Sequence, residues 1–252
     1  MTDGFRLGAV ISAGFRVWLR NLAPFLFITL LVFSPLLLWG VLTVQGEPPI
    51  DVRVAALERF SSWSQVLVPL LDIVLSAALV YGVVMELSGQ HASFARCLGT
   101  GLACFFPVVG VALLTMLAVI GGLILLIVPG FIILCALYVT TQVAVIERPG
   151  VFGALARSRE LTAGHRWELF AIVIGFIALT FVLTKLIEVS MVDVETLTED
   201  NFHEVVRRVM YVDLARTVVT ASLSSVMASA AYYYLRREKE GTSAGELARV
   251  FE

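Results

Sequence analysis

Long apolar runs alternate along the chain with short stretches in which arginines punctuate hydrophobic residues at helical spacing. The runs cover residues 23–44, 65–87, 106–128, 131–146, 167–191 and 211–235. Most are near the ~20 residues that a helix needs to cross a bilayer. In hydrocarbon every backbone amide must be bonded internally, so such runs form helices or a closed barrel. Barrel strands alternate in segments of about 10 residues, and FLFITLLVFSPLLLWGVL does not alternate. The runs are therefore predicted to be six transmembrane helices.

The intervening arginine-bearing stretches, 5–20, 93–105 and 151–163, have amphipathic periodicity. In the first, Leu7, Ile11, Phe15 and Trp18 share one face and Arg6, Arg16 and Arg20 the other, as in a helix lying at the headgroup boundary of an anionic leaflet. The same pattern would also suit a cytosolic helix packed on the protein itself. In the second, Phe94, Leu98, Leu102 and Phe105 oppose Arg96 and Thr100. In the third, Val151, Phe152 and Leu155 make the apolar side, Arg157 and Glu160 lie opposite, and Arg159 projects into the apolar arc. Gly164 ends that helix as its C′ residue. The expected fold is an all-α integral membrane protein of three hairpins, each preceded by a cytoplasmic-side interfacial helix. Residues 1–235 form one polytopic domain and 236–252 a polar cytoplasmic tail.

Finer detail is also legible. Pro35 and Pro69 fall inside the first and second spans, and the later part of the loop Gln45–Ser64 is expected to coil into the second. Val128-Pro129-Gly130 is predicted to be a tight turn, leaving a short fourth helix over 131–146. An acidic loop, Val192–Met210, precedes the sixth.

Composition supports this class: 59% hydrophobic, 15% charged, mean hydropathy +0.91, well outside the soluble range. The net charge of −2 is uninformative because a membrane separates the charges. Their distribution is informative. Arg6, Arg16, Arg20, Arg96, Arg148, Arg157, Arg159, Arg166, Arg236, Arg237, Lys239 and Arg249 fall on one side of the predicted spans. Arg53, Arg59, Arg207 and Arg208 fall on the other. By the positive-inside rule both termini and all three basic helices are expected in the cytoplasm, with the chain in the cell's inner membrane. No cleavable signal is expected. Cys97, Cys104 and Cys135 lack CxxC spacing and read as small apolar fillers.

The run VIERPGVFGALARSRELTAGHRWELF resembles the signature of the membrane domain found in some prokaryotic glycerophosphoryl diester phosphodiesterases. Glu147, Gly150, Ala154, Leu155, Arg157, Ser158, Leu161, Thr162, Gly164, Trp167 and Phe170 carry the likeness, and Arg159 stands where an aromatic residue is usual. The closing run Tyr232-Tyr233-Tyr234-Leu235-Arg236-Arg237-Glu238 is similar to that family's final helix. The resemblance implies a membrane scaffold in a stand-alone form. Catalysis in those enzymes belongs to a separate barrel of about 250 residues, so no phosphodiesterase activity is expected here.

Candidate chemistry lies with ionisable groups inside the spans, which are costly there. Asp72, Lys185, Glu188, Asp213 and Arg216 all fall in the outer half. Lys185 with Glu188, and Asp213 with Arg216, are i, i+3 neighbours that can neutralise each other. Asp72 has no such neighbour and must look to Arg216 or Lys185, or to water. The group is either a structural ion-pair cluster or a site for an ion, proton or headgroup. Helix six is rich in small and hydroxyl residues (Thr217, Thr220, Ser222, Ser224, Ser225, Ala228, Ser229), which suits tight packing or a wet cavity. Asp200, His203 and Glu204 read as a solvated acidic loop rather than a metal site. No catalytic or nucleotide-binding fingerprint occurs, and neither a cofactor nor a nucleic-acid partner is expected. The expected function is a non-enzymatic module that engages anionic headgroups or a protein partner through Arg6, Arg16, Arg20, Arg96, Arg157, Arg159 and Arg166. Such a module would organise or bend the inner leaflet. The alternatives are a transporter, or transporter subunit, with Asp72 and Arg216 lining a pathway, and an intramembrane lipid-processing enzyme.

Overall fold

The computed structural model describes residues 6–44, 50–90, 94–191 and 202–241. These residues form ten helices and, among them, no strand. The helices are α1 (Leu7–Arg20), α2 (Leu22–Val44), α3 (Ile50–Leu87), α4 (Phe94–Ala103), α5 (Phe105–Leu125), α6 (Ile127–Ala136), α7 (Thr140–Ile146), α8 (Val151–Thr162), α9 (Arg166–Met191) and α10 (Phe202–Glu240). Six stretches are long and apolar enough to cross a membrane: Leu22–Thr43, Val54–Leu87, Phe105–Leu125, Ile127–Ile146, Arg166–Ile187 and Glu204–Glu240. The chain is a multi-pass helical membrane protein.

Four long helices make the frame. Phe25 of α2 packs on Gly82 of α3 near one end, and Phe60 of α3 packs on Gly40 of α2 near the other, so the two run antiparallel. Met210 of α10 also meets Gly40, and the Tyr233 hydroxyl donates to the Leu87 carbonyl (3.4 Å), so α10 runs parallel to α3. Just before α9, His165 reaches Glu238 at 3.3 Å. Thr184 and Lys185 line a groove with Thr217, which makes α9 antiparallel to α10. Leu87, His165 and Glu238 thus mark one end of the bundle, here termed the basic end.

Helices two and six are longer than predicted. The loop before α3 is helical from Ile50, and α10 begins at Phe202 and runs to Glu240. Pairs one turn apart, Arg208 with Glu204 (3.0 Å) and Arg236 with Glu240 (2.8 Å), stabilise the watery ends of α10. α3 and α2 remain helical through Pro69 and Pro35.

The predicted turn at Val128–Gly130 is displaced. The break comes at Leu126, which is extended (φ −165°, ψ 147°), and α6 starts at Ile127 rather than at residue 131. Pro129 then sits in the first turn of a helix, where its missing N–H forfeits no bond. A methyl group on Gly122 would lie 3.0 Å from the Cα of Gly130, so glycine lets α5 and α6 approach backbone to backbone. The fourth span is also not one helix. It breaks over residues 137–139 before α7 resumes. At the break the Ala136 carbonyl accepts hydrogen bonds from Ser158 Oγ (2.9 Å) and Thr162 Oγ1 (3.2 Å) of α8. These hydroxyls replace the intrahelical donor that the break removes.

The amphipathic helices pack by their smallest residues. α1 buries Val10, Gly14 and Val17, with Gly14 against Met227 of α10, while Ile11 and Phe15 of the predicted face are 37% and 40% exposed. α8 buries Ala154, Ser158, Leu161 and Thr162, while Phe152 of its predicted apolar side is 78% exposed. A crowded bundle admits the side that lets backbones approach, whatever its bulk. α4 descends along α3, with Cys97 on Gly82 and Gly101 on Ala78, one turn apart on each helix. The side chains of Phe94, Leu98 and Leu102, its predicted apolar face, lie outside the described residues.

A Cβ on Gly101 would stand 3.1 Å from the Cα of Ala78, whereas one on Gly99 meets nothing within 4 Å. Gly101→Val is therefore expected to cost about 1–3 kcal/mol through overpacking, read as a lower Tm in detergent, with Gly99→Ala leaving Tm close to the parent value.

Candidate functional site

Two polar clusters occupy opposite ends of the frame. The first is a groove of about 690 Å³ between α3, α9 and α10. Asp72, Thr180, Thr184, Lys185, Arg216, Thr217, Thr220 and Ser224 line it, with Phe176 and Phe181 as apolar wall. Helical periodicity brings these residues together. Thr180 and Thr184 stack one turn apart on α9, and Arg216, Thr220 and Ser224 do so on α10. The structure therefore gathers Asp72, Lys185 and Arg216, the residues singled out from sequence, around one space.

The pairing within that space is uneven. Arg216 turns to its own helix, its Nη2 2.6 Å and its Nε 2.8 Å from Asp213 Oδ1, as the i, i+3 spacing predicts. Asp72 Oδ1 is buried and has no hydrogen-bond partner among the described residues. The Glu188 side chain lies outside the described residues, and the Lys185–Glu188 pairing with it. Toward the basic end the bundle is filled by Leu75, Leu79, Val226, Met227 and Ala230, all at most 2% exposed. The groove therefore ends blind.

The small residues of helix six divide between the packed interior and the groove. Ser222, which accepts a hydrogen bond from Trp18 Nε1 (3.0 Å), is buried with Ser225, Ala228 and Ser229 in the packed interior. Thr217, Thr220 and Ser224 face the groove.

The second cluster ties the basic end together. Glu147, at the end of α7, accepts from Arg157 Nε at 2.9 Å through one oxygen and from the Tyr232 hydroxyl at 2.9 Å through the other. Arg157 also pairs with Glu160 (3.0 Å) and with Glu240. Arg236 donates to Tyr232 (3.0 Å) and Glu240 (2.8 Å). Burial works against the Arg157 charge, but its bonds to Glu160 and Glu147 outweigh that and raise its pKa above the usual arginine value. One knot thus joins α7, α8 and α10. Its members come from two distant stretches, 147–160 and 232–240, and no spacing rule connects residues such as Glu147 and Tyr232, 85 positions apart.

The other basic candidates are placed differently. Arg6, Arg16, Arg96, Arg159 and Arg166 are exposed, and Arg20 is exposed while reaching Glu86 at 3.9 Å. Arg157 instead has its charge matched inside the protein. Asp200 and His203 side chains lie outside the described residues, and no group of metal-ligand type assembles among the described ones.

Fold and clusters together define a polytopic helical membrane protein with a blind polar groove at one end and a charge knot at the other. No protein-family model matches the chain, and neither a curated protein nor a solved structure matches it.

Replacing Glu147 leaves Arg157 and Tyr232 without their shared acceptor, so Glu147→Ala is expected to cost about 1–3 kcal/mol and Tyr232→Phe about 1 kcal/mol, seen as graded falls in Tm. Asp72→Leu removes a carboxylate oxygen that bonds to nothing described, so Tm is expected to hold or rise. A clear fall would show that Asp72 holds the bundle together.

Proposed function

We propose that this chain is a non-enzymatic integral membrane module whose basic end grips the anionic cytoplasmic leaflet. The observation that carries the reading is the half-used apolar arc of α1. Val10, Gly14 and Val17 settle on the bundle, while Ile11, Phe15 and Leu19, one turn apart, stay 37%, 40% and 61% exposed. The arginines Arg16 and Arg20 lie on the far side of that strip. An outward apolar strip beside arginines matches a helix half-sunk at the headgroup boundary, acyl chains covering the strip and phosphates meeting the guanidinium groups. α8 repeats the device on a smaller scale, with Phe152 and Arg159 both exposed on one side. The excess of Lys and Arg at this end favours a cytoplasmic position for it. The likeness of Glu147–Phe170 to the phosphodiesterase membrane domain supports a scaffold role.

A second reading, a transporter or transporter subunit, is favoured by the groove around Asp72, Lys185 and Arg216. The filled interior between that groove and the basic end weighs against a pathway. For a lipid-processing enzyme, neither cluster sets a serine or cysteine against a histidine among the described residues.

Each basic residue near an anionic surface contributes about 1 kcal/mol. Charge reversal at Arg6 and Arg16, which leaves the Arg20–Glu86 contact alone, is therefore expected to cut the retention of anionic phospholipid by the purified protein at least tenfold against zwitterionic lipid. Native mass spectrometry from mixed nanodiscs would measure it, and equal retention by R6E/R16E and parent would refute the reading.

A further inference from the structure

We infer that only four of the six apolar stretches cross the bilayer, and that α5 and α6 form a re-entrant hairpin whose tip lies among the acyl chains of the leaflet at the basic end. This goes beyond the leaflet-gripping role of α1 and does not depend on it.

The first observation is where the tip lies. If α5 and α6 crossed, their junction at Leu126 would stand at the far face, level with Lys185 and Asp72. Instead Ile127, Val128 and Phe131 share an apolar cleft of about 360 Å³ with Arg166, Trp167 and Phe170, the first turns of α9. The Phe131 and Phe170 rings meet edge to face at 5.6 Å. Phe170 is about 22 Å along α9 from Lys185 at 1.5 Å per residue, and α9 starts beside His165, which reaches Glu238 at the basic end. The hairpin tip is therefore at the end where α9 begins.

The entry to the hairpin agrees. α4 runs down α3 until Gly101 meets Ala78, about 14 Å short of Leu87 by helical rise. α5 thus sets out from within the bundle, and Gly110 soon meets Val151 at the start of α8. α6 has 10 residues, about 15 Å, half of a hydrocarbon core. It ends with Ala136 bonded to Ser158 and Thr162 of α8.

The second observation is chemical. From Met116 to Leu137 no charged, amide or hydroxyl side chain occurs, although a turn lies midway. At that turn Leu125, Leu126, Ile127 and Val128 are 78%, 68%, 68% and 68% exposed. The helical overhangs at the other end carry Glu58, Arg59, Arg207 and Arg208. A tip with nothing to offer water belongs in lipid, and Trp167 with Arg166 marks the interface above it. The occupant of the cleft is a phospholipid acyl chain.

Spin labels on Leu126→Cys paired with Lys239→Cys or with Ser62→Cys, in lipid nanodiscs, test the depth. The 126–239 distance is expected to be the shorter of the two, and the reverse order would overturn the proposal. In sealed vesicles of either orientation, a membrane-impermeant maleimide is expected to label Leu126→Cys at least tenfold more slowly than exposed Ser62→Cys or Lys239→Cys, with the untouched parent as background for the buried native cysteines. Rapid labelling of Leu126→Cys from either side would overturn it, even if all three variants fold and the leaflet-gripping test succeeds.

Discussion

Inside a bilayer no solvent can satisfy a stray carbonyl, and this constraint shapes the part of the molecule that departs most from a plain helical bundle. Where α6 stops, the chain must turn through residues 137–139 without leaving the Ala136 carbonyl bare. Ser158 and Thr162, one turn apart on α8, supply the donors. Their arrangement holds α8 against the break, and α8 then presents Arg157 to Glu147 and Glu240. Backbone satisfaction and charge pairing are thus two consequences of one docking. Loss of both hydroxyls would leave an acceptor that only conformational change could relieve.

Close approach provides the rest of the cohesion. Lipid tails are as apolar as leucine, so helices in a membrane associate through packing contact rather than escape from water. The contacts here are small against small: Gly101 on Ala78, Cys97 on Gly82, and Gly122 on Gly130. Larger apolar residues such as Phe106, Ile124 and Phe152 point outward. This inversion of the soluble pattern is the expected behaviour of a protein whose surroundings welcome bulk.

The same inversion explains which features were legible in the sequence. The membrane class, the six apolar stretches and the Asp213–Arg216 pair follow from length, hydropathy and spacing within one helix. The gathering of Asp72, Lys185 and Arg216 was anticipated in outline because ionisable groups in lipid seek company. Which face of α1 and α8 packs on the bundle was not legible from the apolar arcs, because the contacts are made by Gly14 and Ala154, small residues that stand out in no hydropathy pattern. The turn at Leu126 was placed three residues late because Pro129 and Gly130 are turn residues in water but serve here as a helix start and a contact. The knot of Glu147, Arg157, Tyr232, Arg236 and Glu240 stayed hidden because it joins segments that only the fold makes neighbours.

α10 is the member whose shape reaches furthest. Its 39 residues contain neither glycine nor proline, and at 1.5 Å per residue it is about 58 Å long, nearly twice the hydrocarbon thickness. It therefore emerges on both sides as a single rod. One end flanks the blind groove through Arg216, and the other carries Tyr232 and Arg236. With no hinge along it, a lever of this kind transmits a tilt imposed at one aqueous face to the opposite one.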